Sequence, residues 1–534
     1  MSYIYDSFKN AMFMKAKLLV KICLLLPTLA FSQAYTLDAG FGTGGYLTTA
    51  FADNNSFLSS LALQPDGKII TCGHYVNGAL NVLVIARYNA DGTPDTAFNG
   101  TGILTAAVGS DFPNDYNTVR LQQDGKIVVG GSASVSGTNY FFLARYNSNG
   151  TADAAFGDNG IIITNFAGRA NTIEIQPDNK ILIAGYVTSS ANGDFGVARF
   201  NSDGTLDGDF GVNGLSVINI GTVSNPLALS GEKVKQLKLL PDGKILAAGT
   251  RYAAAADDID FAIVRLNADG TLDSDFGTDG KTVTDFGANE NLLSMEMSGE
   301  KILLMGTYST NDDFQPVVVV SQYNIDGSPD TSYAVGGKFI FTYASASQFG
   351  LVTSSAIDAS GKLIIGGILV NEDPDMMVIR LNANGTLDET LDTDGIFTQD
   401  LDGAEAALTL MFQPDGKLIA GGQRGYSATS SGFIVARFNT EALREDEFSI
   451  QTFSAGPNPF TSSLQIRLNM AFAEKLTAEL IDANGRKIET LFKGRDFSYG
   501  PNVVNLAMPE MISHGVYYLK LMGAKTNKSI KLIK

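Results

Sequence analysis

The 534-residue sequence has no tryptophan, two cysteines and two histidines. Each shortage closes off a class of chemistry. Cys23 lies in an apolar leader, so removal of that leader leaves Cys72 as the sole thiol. A lone thiol forms neither an internal disulfide nor a cysteine-based metal site. His74 and His514 fall in different parts of the chain, so a two-histidine metal centre or a histidine-based triad lacks its parts. No H-E-x-x-H, P-loop or G-x-S-x-G is present, and the sequence assigns no catalytic residue and no metal site. Carboxylate pairs of the glycoside-cleaving kind leave no local signature and stay open. The leader's apolar run ICLLLPTLAF is too short to span a bilayer, so no transmembrane helix is expected in the mature protein. Basic charge is scarce: residues 33–440 carry 22 basic and 45 acidic side chains, a net of −23. Such a surface repels nucleic-acid phosphates, and no nucleic-acid partner is expected.

Residues 1–32 read as a signal peptide. Lys15, Lys17 and Lys21 precede the apolar run, and Ala30-Phe31-Ser32 forms a cleavage site. The thirteen residues before Met14 fit this pattern poorly, which offers Met14 as an alternative start. After the leader comes LDAGFGTGG, Leu37–Gly45. Gly40, Gly42 and Gly45 satisfy G-x-G-x-x-G, but the alternating YLTTAF that follows is no helix to hold a pyrophosphate, so the nucleotide reading fails.

Self-similarity is the dominant signal. A turn ending in lysine recurs at Lys68, Lys126, Lys180, Lys244, Lys301, Lys362 and Lys417, each followed by an apolar β-type run such as IVVGG. About twenty residues later comes a motif of the IARYN type, with Arg87, Arg145, Arg199, Arg265, Gln322, Arg380 and Arg437. The LDxxFGxxG motif also occurs seven times. Strands at this spacing with Asp-Gly and Asn-Gly turns predict antiparallel β-structure, four strands per unit of about 58 residues. The seventh unit ends at Asn439 without its LDxxFG strand, whereas the chain begins with one. The expected fold is therefore an all-β, seven-bladed β-propeller over 33–440, closed by the N-terminal strand.

These motifs resemble the delta-60 repeat of exported bacterial proteins, which implies the propeller fold without a defined activity. Unit five departs most, with MSGEK and Gln322. After a charged linker, 441–452, residues 453–534 alternate as strands around a DANGRKI hairpin and predict a small β-sandwich. This module resembles the type A C-terminal sorting domain of type IX secretion in Bacteroidota. The matching residues are Pro457, Asn458, Pro459, Gly485, Gly515, Tyr517, Lys531 and Lys534. The resemblance implies the type IX secretion machinery as a partner, passage through the periplasm, and a secreted or cell-surface destination.

Within the repeats, an arginine present in nearly every unit cannot mark one active site, and a structural contact to the Asp of LDxxFG is expected instead. Segments such as Asn89, Asp91 and Asp95 resemble part of a calcium loop but lack the distal glutamate, and read as turns. Binding should sit where the units differ. The variable connections carry Asp111, Asp115, Asp257, Asp258, Asp260, Asp312, Asp313, Glu372, Asp373 and Asp375, which form the candidate ligand-binding face. The expected ligand is a polysaccharide or a protein. No cofactor is called for, and Ca2+ is the one ion such acidic loops would admit. A glycan-cleaving enzyme would need one isolated acid pair in the central pocket, and a purely structural adhesion role is the third reading.

Overall fold

The computed structural model describes residues 35–534 apart from 52–54, 79, 110–117, 189–192, 222–231, 254–257, 310–315, 344–348, 371–373, 402–404, 428–429, 441–449, 471–473, 483–485, 499, 510–511 and 524–526. The expected signal peptide lies outside the described residues. Two compact units are present, one ending at Thr440 and one beginning at Glu441.

The first unit is a propeller-like assembly of antiparallel sheets. Ser56–Leu63, Ile69–Asn77, Leu80–Tyr88 and Ile103–Ala106 pair in chain order to form the first sheet. The same order recurs over residues 233–284, 289–341 and 349–399. The second and third repeats depart from the expectation of separate sheets. Ile161–Ile175 is one strand of 15 residues. Its early part pairs with Thr138–Tyr146 and its later part with Ile181–Thr188, fusing the two repeats into a seven-stranded sheet. In the last repeat the fourth strand comes from the chain's start: Tyr46 lies opposite Ala436 and Ala50 opposite Gly432.

Local chemistry explains the recurrence. In the lysine turns outside repeat five an aspartate accepts a backbone N–H from two residues on, as Asp66 does from Lys68, and the intervening Gly67 takes φ +82, where a side chain would be strained. The second strands are apolar on both faces, because each sheet is covered on both sides. Cys72 illustrates this: it is wholly buried, and burial pushes its thiol pKa well above the ordinary range.

Apolar layers then fill the space between successive sheets. One joins Val84 and Leu61 of the first sheet to Ile419, Phe433 and Val435 of the last, with Phe41 and Phe51 between. Each fully buried aromatic of this kind contributes about 1.5–3 kcal/mol. Glycine is required where turns dock. A Cβ on Gly270 would stand 2.9 Å from the Phe210 ring, and one on Gly92 3.1 Å from Phe41.

The repeated arginine pairs with the aspartate of the LDxxFG-type motif in every repeat that carries it. Arg87 Nε donates to Asp95 Oδ2 at 2.8 Å, and Lys68 reaches the same oxygen at 2.9 Å. Arg199, Lys180 and Asp207 repeat this, as do Arg265, Lys244 and Asp273. The guanidinium lies over the phenylalanine of the same motif, 4.8 Å for Arg87 on Phe98, except in repeat six, where the motif has Leu391 and Arg380 lies 5.7 Å from the Tyr35 ring. Its Nη1 donates to a turn carbonyl of the following repeat, Arg199 to Ala268 at 2.5 Å and Arg265 to Ile325 at 2.6 Å. A buried cation is thereby met by a carboxylate, a π-face and a carbonyl. Burial alone would raise the Asp95 pKa, but the Lys68 ammonium, a backbone N–H and Arg87 outweigh it and hold it below the usual range.

In the last repeat, Arg437 and Lys417 each reach Asp38 at 2.8 Å, and Arg437 donates to Ala90 of the first repeat at 2.5 Å. Repeat five lacks the arginine. There Lys301 holds Asp330 at 2.6 Å.

The second unit is a small sandwich. Ile450–Gly456, Ser463–Met470 and Gly500–Ala507 form one sheet. Lys487–Phe497, Glu474–Asp482, Val516–Met522 and Asn527–Ile533 form the other. Ile466, Leu468, Leu480 and Leu519 fill the layer between them. The first strand starts at Ile450, so the stretch expected as linker over 441–452 ends sooner, its last residues being drawn into pairing with Met470.

Candidate functional site

Two polar assemblies stand out in the first unit: a group of three carboxylates, two of them buried, between the sheets of repeats four and five, and a central cavity. Of the expected acidic loop residues, Asp111, Asp115, Asp257, Asp312, Asp313, Glu372 and Asp373 lie outside the described residues. Asp258 opens the strand Asp258–Leu266, with its backbone opposite Ala253. Asp375 opens Asp375–Leu381 and is half-buried. Asp260 corrects the expectation. It is no loop residue but lies within a strand, 2% exposed, because Arg251 on the neighbouring strand meets its Oδ2 at 2.9 Å.

Sequence reading missed the partners of Asp260. Asp285 follows the strand Lys281–Thr284 and is exposed. Glu290 sits on the first strand of the next sheet, 2% exposed. One oxygen from each of the three carboxylates lies within 4.8 Å of the others. Glu290 Oε1 accepts N–H bonds from Phe286 at 3.1 Å and Ala288 at 3.3 Å, whereas its Oε2 has no hydrogen-bond partner among the described residues. Burial drives the Glu290 pKa up to about 8; the Asp260 and Asp285 charges add to it, against the two N–H bonds.

The neighbouring seam shows the same positions differently filled. Phe195 pairs with Ile218 as Phe261 pairs with Thr284, so Asn219 occupies the place of Asp285. Its amide donates to Asp194 Oδ1 at 2.9 Å. Glu232, 5% exposed, takes the place of Glu290, and its Oε2 likewise has no hydrogen-bond partner among the described residues. Burial raises its pKa, and the Asp194 carboxylate adds to the rise.

The central cavity encloses about 660 Å³ and is lined by the first strands of every repeat. Each first strand except Thr118–Leu121 carries a register shift of the bulge kind, as between Leu58 and Ser60 or Val234 and Gln236. Bulges bend and twist the strand, and the inserted residues Ser59, Asn171, Lys235, Leu293 and Thr353 all line the cavity.

Hydrogen bonds pass from one first strand to the next. The Val119 N–H donates to Ser60 Oγ at 3.2 Å, the Asn171 amide to the Val234 carbonyl at 2.6 Å, and the Met295 N–H to Gln236 Oε1 at 2.7 Å. Among the lining residues the cations are Arg120, Lys235 and Lys238, and the one acid is Glu296, which Lys238 holds at 3.1 Å. Burial and the Lys233 ammonium bring the Lys235 pKa down to about 8. Glu174, just outside the lining, holds Arg120 at 3.3 Å, so the cavity keeps a small cationic excess inside an acidic protein, and its lining supplies no isolated acid pair.

Comparison with known families gives two matches. A family described as a domain of unknown function (DUF5122) beta-propeller matches residues 64–98, 122–156, 176–210, 240–276, 359–391 and 413–441. The secretion system C-terminal sorting domain matches residues 455–534. The chain is a run of beta-propeller repeats ending in a secretion sorting domain. The unmatched repeat is the fifth, where Gln322 replaces the arginine.

Among solved structures, the beta-propeller domain of the Trilobed protease from Pyrococcus furiosus is 11% identical, covering 73% of this chain and 97% of its own, with a TM-score of 0.38. Drosophila Semaphorin 2a is 8% identical, covering 92% and 97%, with a TM-score of 0.43. The polysaccharide lyase Uly1 is 10% identical, covering 77% and 95%, with a TM-score of 0.40. No curated protein matches the chain.

In the sorting domain the expected residues gather around the terminal strand. Asn458 accepts the Ile533 N–H at 2.7 Å and donates to the Lys531 carbonyl at 3.0 Å. Gly515 and Lys534 exchange backbone hydrogen bonds. Tyr517 lies opposite Leu532 and donates to the Ser513 carbonyl at 2.8 Å. Pro457 and Pro459 flank Asn458, and Gly485 lies outside the described residues. Among the described residues no helix is long and apolar enough to cross a membrane. The sorting domain indicates secretion to the cell surface or the extracellular space, and implies an interaction with type IX secretion machinery.

Proposed function

We propose that the chain is an exported ligand-binding module of a Bacteroidota cell surface. It would comprise a signal peptide over 1–32, a seven-bladed propeller over 33–440 and the sorting tail. Pairing of Tyr46–Ala50 onto the last sheet supports ring closure by the N-terminal strand, as does the Arg437 bond to Ala90. The ligand is an anionic polysaccharide or an acidic segment of a protein, taken up at the central cavity.

The observation that carries this reading is the charge of that cavity. Arg120, Lys235 and Lys238 outnumber the two carboxylates that meet them, Glu174 on Arg120 and Glu296 on Lys238, while residues 33–440 carry a net of −23. A cationic centre within an acidic shell selects a ligand that brings its own negative charge, and the belt of hydroxyl and amide groups suits sugar hydroxyls. The glycan-cleaving alternative needs an acid pair, and Glu296 is already held by Lys238.

The test is binding of the full chain to matched acidic and neutral polysaccharides, in calcium and in chelator, with Lys235→Met/Lys238→Gln alongside. Saturable binding of acidic chains that weakens with salt and is lost in the double variant supports the proposal. Equal binding by the double variant removes the cavity from it. No binding by the unsubstituted chain shifts the role to a structural surface component.

A further inference from the structure

We infer that Asp260, Asp285 and Glu290 form a binding site for a divalent cation of the calcium class, joining the sheets of repeats four and five. The three residues come from three separate segments and offer oxygens within 4.8 Å of one another. Glu290 is 2% exposed, and one of its oxygens has no hydrogen-bond partner among the described residues. A buried carboxylate with one oxygen left unsatisfied is unfavourable in its ionised form, and a proton or a cation at that oxygen would relieve it.

Charge favours the cation. Three carboxylates against the Arg251 guanidinium on Asp260 and the Lys338 ammonium, which donates to the Asp285 backbone carbonyl at 2.5 Å, still leave an excess of negative charge for a cation to neutralise. The donors are all oxygen, as hard cations require, and the exposed Asp285 leaves a side open for the water that completes six to eight ligands.

The spacing argues further that the arrangement is maintained as a set. Asp375, Asp400 and Glu405 repeat the intervals between Asp260, Asp285 and Glu290. At the intervening seam between repeats five and six, the equivalent of Asp260 is Val317 and that of Glu290 is Gly350. The two strand-borne acids therefore appear together and vanish together at these seams. Between repeats three and four, Asn219 replaces the exposed aspartate and donates a hydrogen bond to Asp194. A natural seam thus folds with an amide at that place, which makes Asp285→Asn a mild substitution.

The experiment is equilibrium dialysis of the full chain against calcium chloride over a range around 0.1–1 mM, the affinity usual for extracellular sites, with melting temperatures in calcium and in chelator. Asp285→Asn should bind one ion fewer per chain than the unsubstituted protein and keep its melting temperature in chelator. Glu290→Gln removes the buried charge without changing its shape. It should melt no lower than the unsubstituted chain in chelator and also bind one ion fewer. No calcium bound by the unsubstituted chain overturns the assignment. So does an unchanged ion count in both variants, since any bound ion would then lie elsewhere.

Discussion

Asp38 lies 399 residues from Arg437 in sequence, yet it is the carboxylate on which Arg437 and Lys417 converge. Replacing it by alanine separates local chemistry from chain closure. Arg437 has a side chain 10% exposed and would keep its charge with only the Phe41 face and the Ala90 carbonyl as partners. Removing one partner of a buried ion pair costs about 3–5 kcal/mol. Lys417 is 31% exposed and can turn to water, so a loss at the lower end, about 3 kcal/mol, is expected.

Urea unfolding followed by tyrosine fluorescence would measure this, since the chain has 19 tyrosines and no tryptophan. With an m-value of about 3 kcal/mol/M, the midpoint should fall by about 1 M. Asp95→Ala removes the same contacts between strands already adjacent in sequence, and serves as the reference. Equal losses would mean that the ion pair acts locally. A larger loss for Asp38→Ala would measure the added role of holding the N-terminal strand. An unchanged midpoint in Asp38→Ala would refute the reasoning, because the buried guanidinium would then need no carboxylate.

Gln322→Arg should raise stability by about 1 kcal/mol, because the new guanidinium meets Asp330 and the Tyr333 ring where the other repeats already have this pairing; a lowered urea midpoint would show the pocket cannot accept it. Acid should unfold the repeats through their aspartates. Burial raises the Asp388 pKa, but Lys362, Thr390 and Arg380 outweigh it and bring it to about 2, while Lys301 and Ser332 bring Asp330 to about 2. Both stand below the unfolded value of about 3.9, so this stability is present above pH 4 and is lost as pH falls towards 2, about 2.5 kcal/mol for Asp388. Stability of Asp388→Asn measured from pH 5 to 2 should fall less steeply than that of the unsubstituted chain. Cys72 should resist an aromatic disulfide reagent in the native protein and react on unfolding; fast labelling without denaturant would contradict its burial.

Much of the repeat architecture was legible because each strand and turn leaves a short local motif. The Arg87–Asp95 pairing could be expected from residues only eight apart in neighbouring motifs. The long strand Ile161–Ile175 could not, since nothing in ITNFAGRAN distinguishes a continuous strand from a connection. The carboxylate site was hidden for another reason. Asp260 reads as one more acid on a variable loop, and its partners lie 25 and 30 positions on, past another strand and in another sheet. The available signal was the recurrence of that interval at Asp375, Asp400 and Glu405. The cationic cavity had no motif at all, because Arg120, Lys235 and Lys238 meet only when separate first strands converge.

The pairing of Tyr46 with Ala436 also sets a timetable. A strand made near the start of synthesis must wait for a partner made near the end of the unit. Bringing the two together across about 390 flexible residues would cost about 5 kcal/mol in chain entropy. Each sheet that docks on its predecessor meanwhile shortens the span still to be bridged. Assembly is therefore cheapest when the seams form in succession and the N-terminal strand joins last. In pulsed hydrogen exchange during refolding, the Leu47–Thr49 amides should gain protection after those of Ile181–Ile183; the reverse order would mean that the two ends of the chain find each other first.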